Sequence, residues 1–165
     1  MVSTQLRLTI VVLGLLVNLA TTAQSPADPV LVGAGDIAEC GGLGAEQTAQ
    51  LLDTIAGTVF TAGDNAYPDG SSADFANCYD PTWGRHKART RPAVGNHEYG
   101  TAGATGYYTY FGAVAGEAAK GYYSYDLGAW HIIALNSNCA QVGGCNAGSA
   151  QEQWLRADLA AHPAA

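Results

Sequence analysis

Three short runs in this chain each stop on a glycine followed by a side chain with a free oxygen. Val30 to Ala34 leads into Gly35-Asp36, Thr58 to Ala62 into Gly63-Asp64, and Arg91 to Val94 into Gly95-Asn96. Short, largely apolar runs bounded by turn residues read as buried strands. Between the first two, apolar residues recur at helical spacing from Ala45 to Ile55, and Gly57 stands just past the end, which predicts a helix. Strand, helix, strand in that order implies an α/β fold with parallel central strands. In such sheets ligands gather beyond the carboxyl ends of the strands. Neighbouring strands would therefore bring Asp36, Asp64 and Asn96 to one point, each glycine letting the backbone bend there without a Cβ clash. A single Gly-Asp pair says little, because both residues are common in turns. Three strand-final copies, with His97 directly after the third, say much more.

The remainder is coarser. Gly121 to Leu127 and Trp130 to Leu135 resemble two strands joined at Gly128, and Ser149 to Ala161 reads as an amphipathic helix with Trp154, Leu155 and Leu159 on one face. The segments from Asp69 to Pro81 and from Tyr99 to Gly121 are rich in Gly, Tyr and small polar residues and are expected as loops. They serve equally well as an entrance lining or as ordinary surface. With 165 residues, 48% of them hydrophobic, the chain has room and material for one domain with a core.

Arg7 followed by the apolar stretch Leu8 to Ala20 and the small residues Thr21-Thr22-Ala23 has the layout of an export signal over residues 1–23, leaving 24–165 as the mature chain. The stretch is shorter than the roughly 20 apolar residues that span a bilayer, so no stable membrane span is expected. A secreted or extracytoplasmic protein with an even number of cysteines points to disulfides. Cys40, Cys78, Cys139 and Cys145 allow three connectivities. Cys139–Cys145 is favoured as closure of a small loop, which leaves Cys40–Cys78. No CxxC or Cys/His cluster points to zinc. The formal charge of −7 argues against nucleic-acid binding by a basic patch. It leaves a phosphate ester open as a partner, because a carboxylate cluster loaded with cations is locally positive.

Gly35-Asp36-Ile37-Ala38, Gly63-Asp64-Asn65-Ala66-Tyr67 and Gly95-Asn96-His97-Glu98 resemble the first three motifs of the calcineurin-like metallophosphoesterases. Many of these proteins carry a histidine two residues after the first aspartate. Here that position is Ala38, and Tyr67 follows the second aspartate, which is the pattern of the purple acid phosphatase branch. The segments Trp130 to Ser137 and around Trp154 also look like those that follow in such proteins. The resemblance implies a layered sandwich of two central sheets flanked by helices, of which this chain would be the N-terminal half. It implies two metal ions, Fe3+ paired with Fe2+, Zn2+ or Mn2+. Asp36 and Tyr67 would hold the first, Asp64 would bridge both, and Asn96 would hold the second. His97 would contact the substrate phosphate and assist the leaving oxygen, with Glu98 behind it as an orienting partner. The family's further histidine ligands, a lone His motif and a Gly-His-x-His motif, have no counterpart. His86 reads as a surface residue, His131 as a satisfied strand residue and His162 as a charge at a helix end. The second metal is thereby left with Asp64 and Asn96.

The implied function is a secreted, acid phosphatase-like hydrolysis of small-molecule or protein phosphate monoesters by a metal-activated hydroxide, with the present chain inactive alone. Two other readings compete. A non-catalytic, metal-stabilised binding module accounts for the missing histidines. A dinucleotide-binding oxidoreductase accounts for Gly33-Ala34-Gly35-Asp36-Ile37-Ala38 as a GxGxxA fingerprint. Asp36 would then face a pyrophosphate, and the helix would begin too late, near Gly44, to hold that phosphate.

Overall fold

A computed structural model describes residues 28 to 163; the expected export signal over 1–23 lies outside the described residues. The chain folds as a mixed α/β unit with two small sheets. β1 (Leu31–Ala34), β2 (Thr58–Thr61) and β3 (Thr90–Arg91) form a parallel sheet in the order β1-β2-β3, with Leu31 opposite Thr58 and Val59 opposite Thr90. Helix α1 (Gly44–Thr54) makes the crossover between β1 and β2, as a parallel pair requires. It buries Ala45, Ala49 and Leu52. Arg89 closes its far end by donating to the carbonyls of Leu52 and Gly57 at 2.6 and 2.8 Å, where helix carbonyls lack internal partners.

β3 sits slightly before the expected run. Pro92 has no N–H for the ladder, so regular pairing stops at Arg91. Contact with β2 then continues through Thr61, whose hydroxyl accepts from the Ala93 N–H at 3.0 Å. β4 (Tyr123–Leu127) and β5 (Trp130–Ala134) form the expected antiparallel hairpin around Gly128. The hairpin lies against the end of β3: the Tyr123 hydroxyl donates to the Pro92 carbonyl at 2.8 Å, and Arg91 lies over the Tyr125 ring.

The two segments expected as loops are largely helical and hold the core. α2 (Ser72–Asp74) starts on a capping box made by Ser71 and Asp74, then runs through a π-turn at Phe75–Tyr79 toward a 3-10 helix at Trp83–Arg89. α3 spans Thr105–Phe111. Phe75, Tyr79, Trp83, Tyr107 and Phe111 are buried together with α1 and β2, and the rings of Phe75, Tyr79, Tyr107 and Phe111 meet at tilted and edge-on angles of the kind aromatic quadrupoles favour. Lone aromatics between glycines hid their helical spacing in the sequence. Helix α4 (Ala150–Ala161) begins where expected, with the Ser149 hydroxyl accepting from the Glu152 N–H. Its expected apolar face is only half covered. Leu159 is 52% exposed, and the most buried residue of the helix is Gln151. That amide holds both main-chain groups of Asn136, accepting from its N–H at 2.8 Å and donating to its carbonyl at 3.0 Å. Disulfides join Cys40 to Cys78 and Cys139 to Cys145. Among the described residues no helix is long and apolar enough to cross a membrane.

Candidate metal centre

The carboxyl ends of the three parallel strands do meet. Asp36 and Asp64 occupy the same left-handed backbone conformation, φ 52° and 50°, a region that Asp tolerates better than most residues. The stretches beyond them run side by side. Ile37 N–H donates to the Asp64 carbonyl at 2.9 Å, Ala38 N–H to Asn65 at 3.1 Å, and Tyr67 N–H back to Ala38 at 2.9 Å. This pairing swings the Tyr67 ring over the first loop, where its hydroxyl donates to Asp36 Oδ1 at 2.5 Å. The third loop arrives through Gly95, and the His97 N–H donates to Asp64 Oδ1 at 3.0 Å. A side chain at Gly95 would fall inside Asp64 N and Oδ1, and one at Gly63 would stand 2.8 Å from the Gly95 Cα. Both positions demand glycine because the second and third loops touch through their backbones. Gly95→Ala is expected to destabilise the fold by about 3 kcal/mol, as overpacking does at its upper range, and to loosen Asp64; urea denaturation measures it.

Glu98 is what holds the loops in register. It is fully buried, and its carboxylate accepts from four backbone N–H groups: Oε1 from Asn65 at 2.7 Å and Ala66 at 3.2 Å, Oε2 from Gly95 at 2.7 Å and Asp64 at 3.1 Å. Burial pushes its pKa up, and the N–H groups of Gly95, Ala66 and Asn65 pull it back. Its role therefore differs from the expected one. No oxygen of Glu98 is spent on His97, whose Nδ1 instead meets the Pro68 carbonyl at 2.6 Å. The signal was present in the spacing, since an acid three residues after a loop glycine can reach back to its N–H, as it does in a capping box.

His97 lies with its ring centroid 4.3 Å from that of Tyr67. With Nδ1–H donated to Pro68, Nε2 is the nitrogen left for a ligand. The Pro68 carbonyl holds the His97 pKa above the ordinary histidine value, with the charges of Asp64, Glu98 and Asp36 adding to it against the effect of burial. The Tyr67 phenol is held well above its usual range, first by its hydrogen bond to Asp36, then by burial and the nearby Asp64 charge. These are the marks of a site crowded with negative oxygen. Asn96 is exposed at the head of the turn His97–Gly100, beside the Gly95–Asp64 contact. Asp36 and Tyr67 also line an open cavity of about 470 Å³ with Ile37, Glu39 and Ala45.

The Asp36 and Asp64 carboxylates and the Tyr67 phenol, which would give up its proton on binding, are donors of the kind that a hard, highly charged cation prefers. The Asp36–Tyr67 hydrogen bond shows that two of these donors already reach each other. Of the expected ligands, a second cation would have Asp64 and the exposed Asn96. The other histidines are engaged elsewhere. His86, expected at the surface, is 8% exposed, with Nε2 at 3.2 Å from the Ala49 carbonyl and 3.0 Å from Asp53. His131 and His162 lie at the β4–β5 hairpin and the end of α4. The dinucleotide fingerprint does not form a phosphate cradle, because α1 begins only at Gly44. Compared with models of protein families, with curated proteins and with solved structures, the chain finds no match.

Proposed function

We propose that these loops belong to a metal-dependent phosphoesterase centre of the purple acid phosphatase kind, in a secreted protein whose two sheets belong to a layered sandwich. The observation that carries the reading is the Tyr67–Asp36 contact beside Asp64, at the joined ends of β1 and β2. A phenol has no structural need to be there, since Tyr67 is not part of the buried core. Fe3+ suits the set because hard ferric iron prefers anionic oxygen, and Asn96 with Asp64 would begin a second position for Fe2+, Zn2+ or Mn2+. Bound cations would neutralise the oxygens of a phosphate ester and acidify water.

The chain's own groups do the rest. Glu98 fixes the backbone that carries Asp64. Pro68 holds Nδ1–H of His97 and favours the charged ring, so that the protonated imidazolium can donate through Nε2–H to a phosphate oxygen or to the departing alkoxide. A phosphate titration of the iron-loaded protein by calorimetry tests this. Phosphate should bind only when iron is present, not at all in Asp64→Asn, and on the order of tenfold more weakly in His97→Ala, the worth of one hydrogen bond to a charged group. Turnover of para-nitrophenyl phosphate by this chain should stay at background, because the second position has two donors. Full turnover would show the ligands misassigned. The same two-donor count favours the metal-stabilised binding module as a second reading, which expects iron to bind without conferring any affinity for phosphate.

A further inference from the structure

Away from the strand ends, three side chains that the fold does not need as a group come together. Asp126, next to last in β4, stands opposite His131, the second residue of β5, and His162 follows α4. One donor atom from each lies within 4.8 Å of the other two. The rings of His131 and His162 are stacked at 3.8 Å with 14° between their planes. His131 Nδ1 meets Asp126 Oδ1 at 2.7 Å, and its Nε2 meets Asp158 Oδ2 at 2.7 Å. Asp158 is itself anchored, its side chain 10% exposed and its Oδ1 accepting from the Ser124 hydroxyl at 2.7 Å. The His162 Nδ1–H donates to the Asp158 main-chain carbonyl at 2.9 Å.

We propose that Asp126, His131 and His162 bind one divalent transition-metal ion of the zinc type, fastening the β4–β5 hairpin to the end of α4. Two imidazoles and one carboxylate are the donor set such an ion prefers, with water completing a tetrahedron. The partners behind the ligands are already in place. Asp158 holds the Nε2–H of His131, which leaves Nδ1 for the metal, in the carboxylate–histidine–metal arrangement that fixes ring orientation. The Asp158 carbonyl holds Nδ1–H of His162 and leaves its Nε2 free. Without a metal, the proton on His131 Nδ1 takes the metal's place against Asp126. Donor atoms around a tetrahedral zinc sit roughly 3.4 Å apart at ordinary Zn–N distances, so the trio must contract and the stacked rings must fan open. His162 can rotate to do so, because its side chain is 40% exposed. The cluster opens on a groove of about 810 Å³ flanked by Trp130, Leu159 and Pro163, which gives ion and water access. None of the strand-end ligands takes part, so the inference stands apart from the phosphoesterase reading.

The test is a zinc titration of the full chain followed by NMR of the histidine rings, in the wild type and in Asp64→Asn, which removes the strand-end carboxylate. The signals of His131 and His162 should shift together with one equivalent of zinc in both proteins, and those of the buried His86 should stay. His162→Ala, at an exposed helix end, should melt like wild type in chelator and lose the coupled shift of His131. Asp158→Asn should weaken zinc binding about 10–100-fold, as loss of a partner behind a ligand does. Ring signals of His131 and His162 that stay fixed through a several-fold excess of zinc would overturn the proposal. So would zinc affinity that survives unchanged in both His162→Ala and Asp126→Asn.

Discussion

Replacing Glu98 by alanine is expected to remove most of the stability of this fold, as a loss on the order of 4 kcal/mol or more in urea denaturation. Four N–H groups share that carboxylate, and three of the bonds are buried. A buried donor left without a partner costs about 1–3 kcal/mol, and truncation also opens a hole where a fully buried side chain stood. Domains of this size hold only about 5–15 kcal/mol in total. Glu98→Gln separates the two contributions. It keeps the shape and one acceptor oxygen, but turns an NH2 toward two N–H donors in place of the other oxygen. The Gln variant should therefore lose about half as much as the Ala variant, with an unchanged denaturant slope. If Glu98→Ala melts like wild type, the carboxylate does not hold the loops together, and the close approach of the second and third loops at Asp64 and Gly95 needs another cause.

The strand ends and their oxygens were legible because each is a local pattern. An apolar run, a glycine and a carboxylate or amide lie within a few consecutive residues, and parallel pairing does the rest. The disulfides were legible from count and spacing. What escaped depends on contacts between segments distant in sequence. Phe75, Tyr79, Tyr107 and Phe111 form one aromatic core only after their segments fold back on each other, and the glycines around them imitate loop composition. His86 stands between Arg85 and Lys87 yet is buried, because a 3-10 helix turns it inward while Arg85 faces out to Glu46 and Asp53. Glu98 is the sharper lesson. A charged residue next to a histidine invites a reading in which the one serves the other, whereas unpaired backbone donors in a tight loop exert the stronger demand. His131 was expected to be a satisfied strand residue, and it is satisfied, by two carboxylates. Only the end of α4, far along the chain, supplies the second imidazole.

Tyr67 decides which kind of centre these loops make, and its replacement should give the most visible result. The protein loaded with ferric iron is expected to be violet, because a phenolate on Fe3+ absorbs visible light by moving charge from oxygen to metal. Tyr67→Phe removes the oxygen and keeps the ring, which packs against His97, so the fold should persist while the band disappears. Asp36 also loses its 2.5 Å hydrogen bond in that variant, but its charge remains, and iron should still bind with reduced affinity through Asp36 and Asp64. Asp64→Asn should behave differently. A neutral amide is a poor bridge between two cations, since it lacks the charge that a shared carboxylate offers both, and Asp64 belongs to both expected positions, so iron and any second metal should be lost together. The two substitutions thus divide colour from binding: Tyr67→Phe bleaches a protein that still holds iron, and Asp64→Asn empties it. A colourless iron-loaded wild type, or an unchanged band in Tyr67→Phe, would mean that the phenol only donates to Asp36. The purple acid phosphatase assignment would then fall even if Asp36 and Asp64 bind metal.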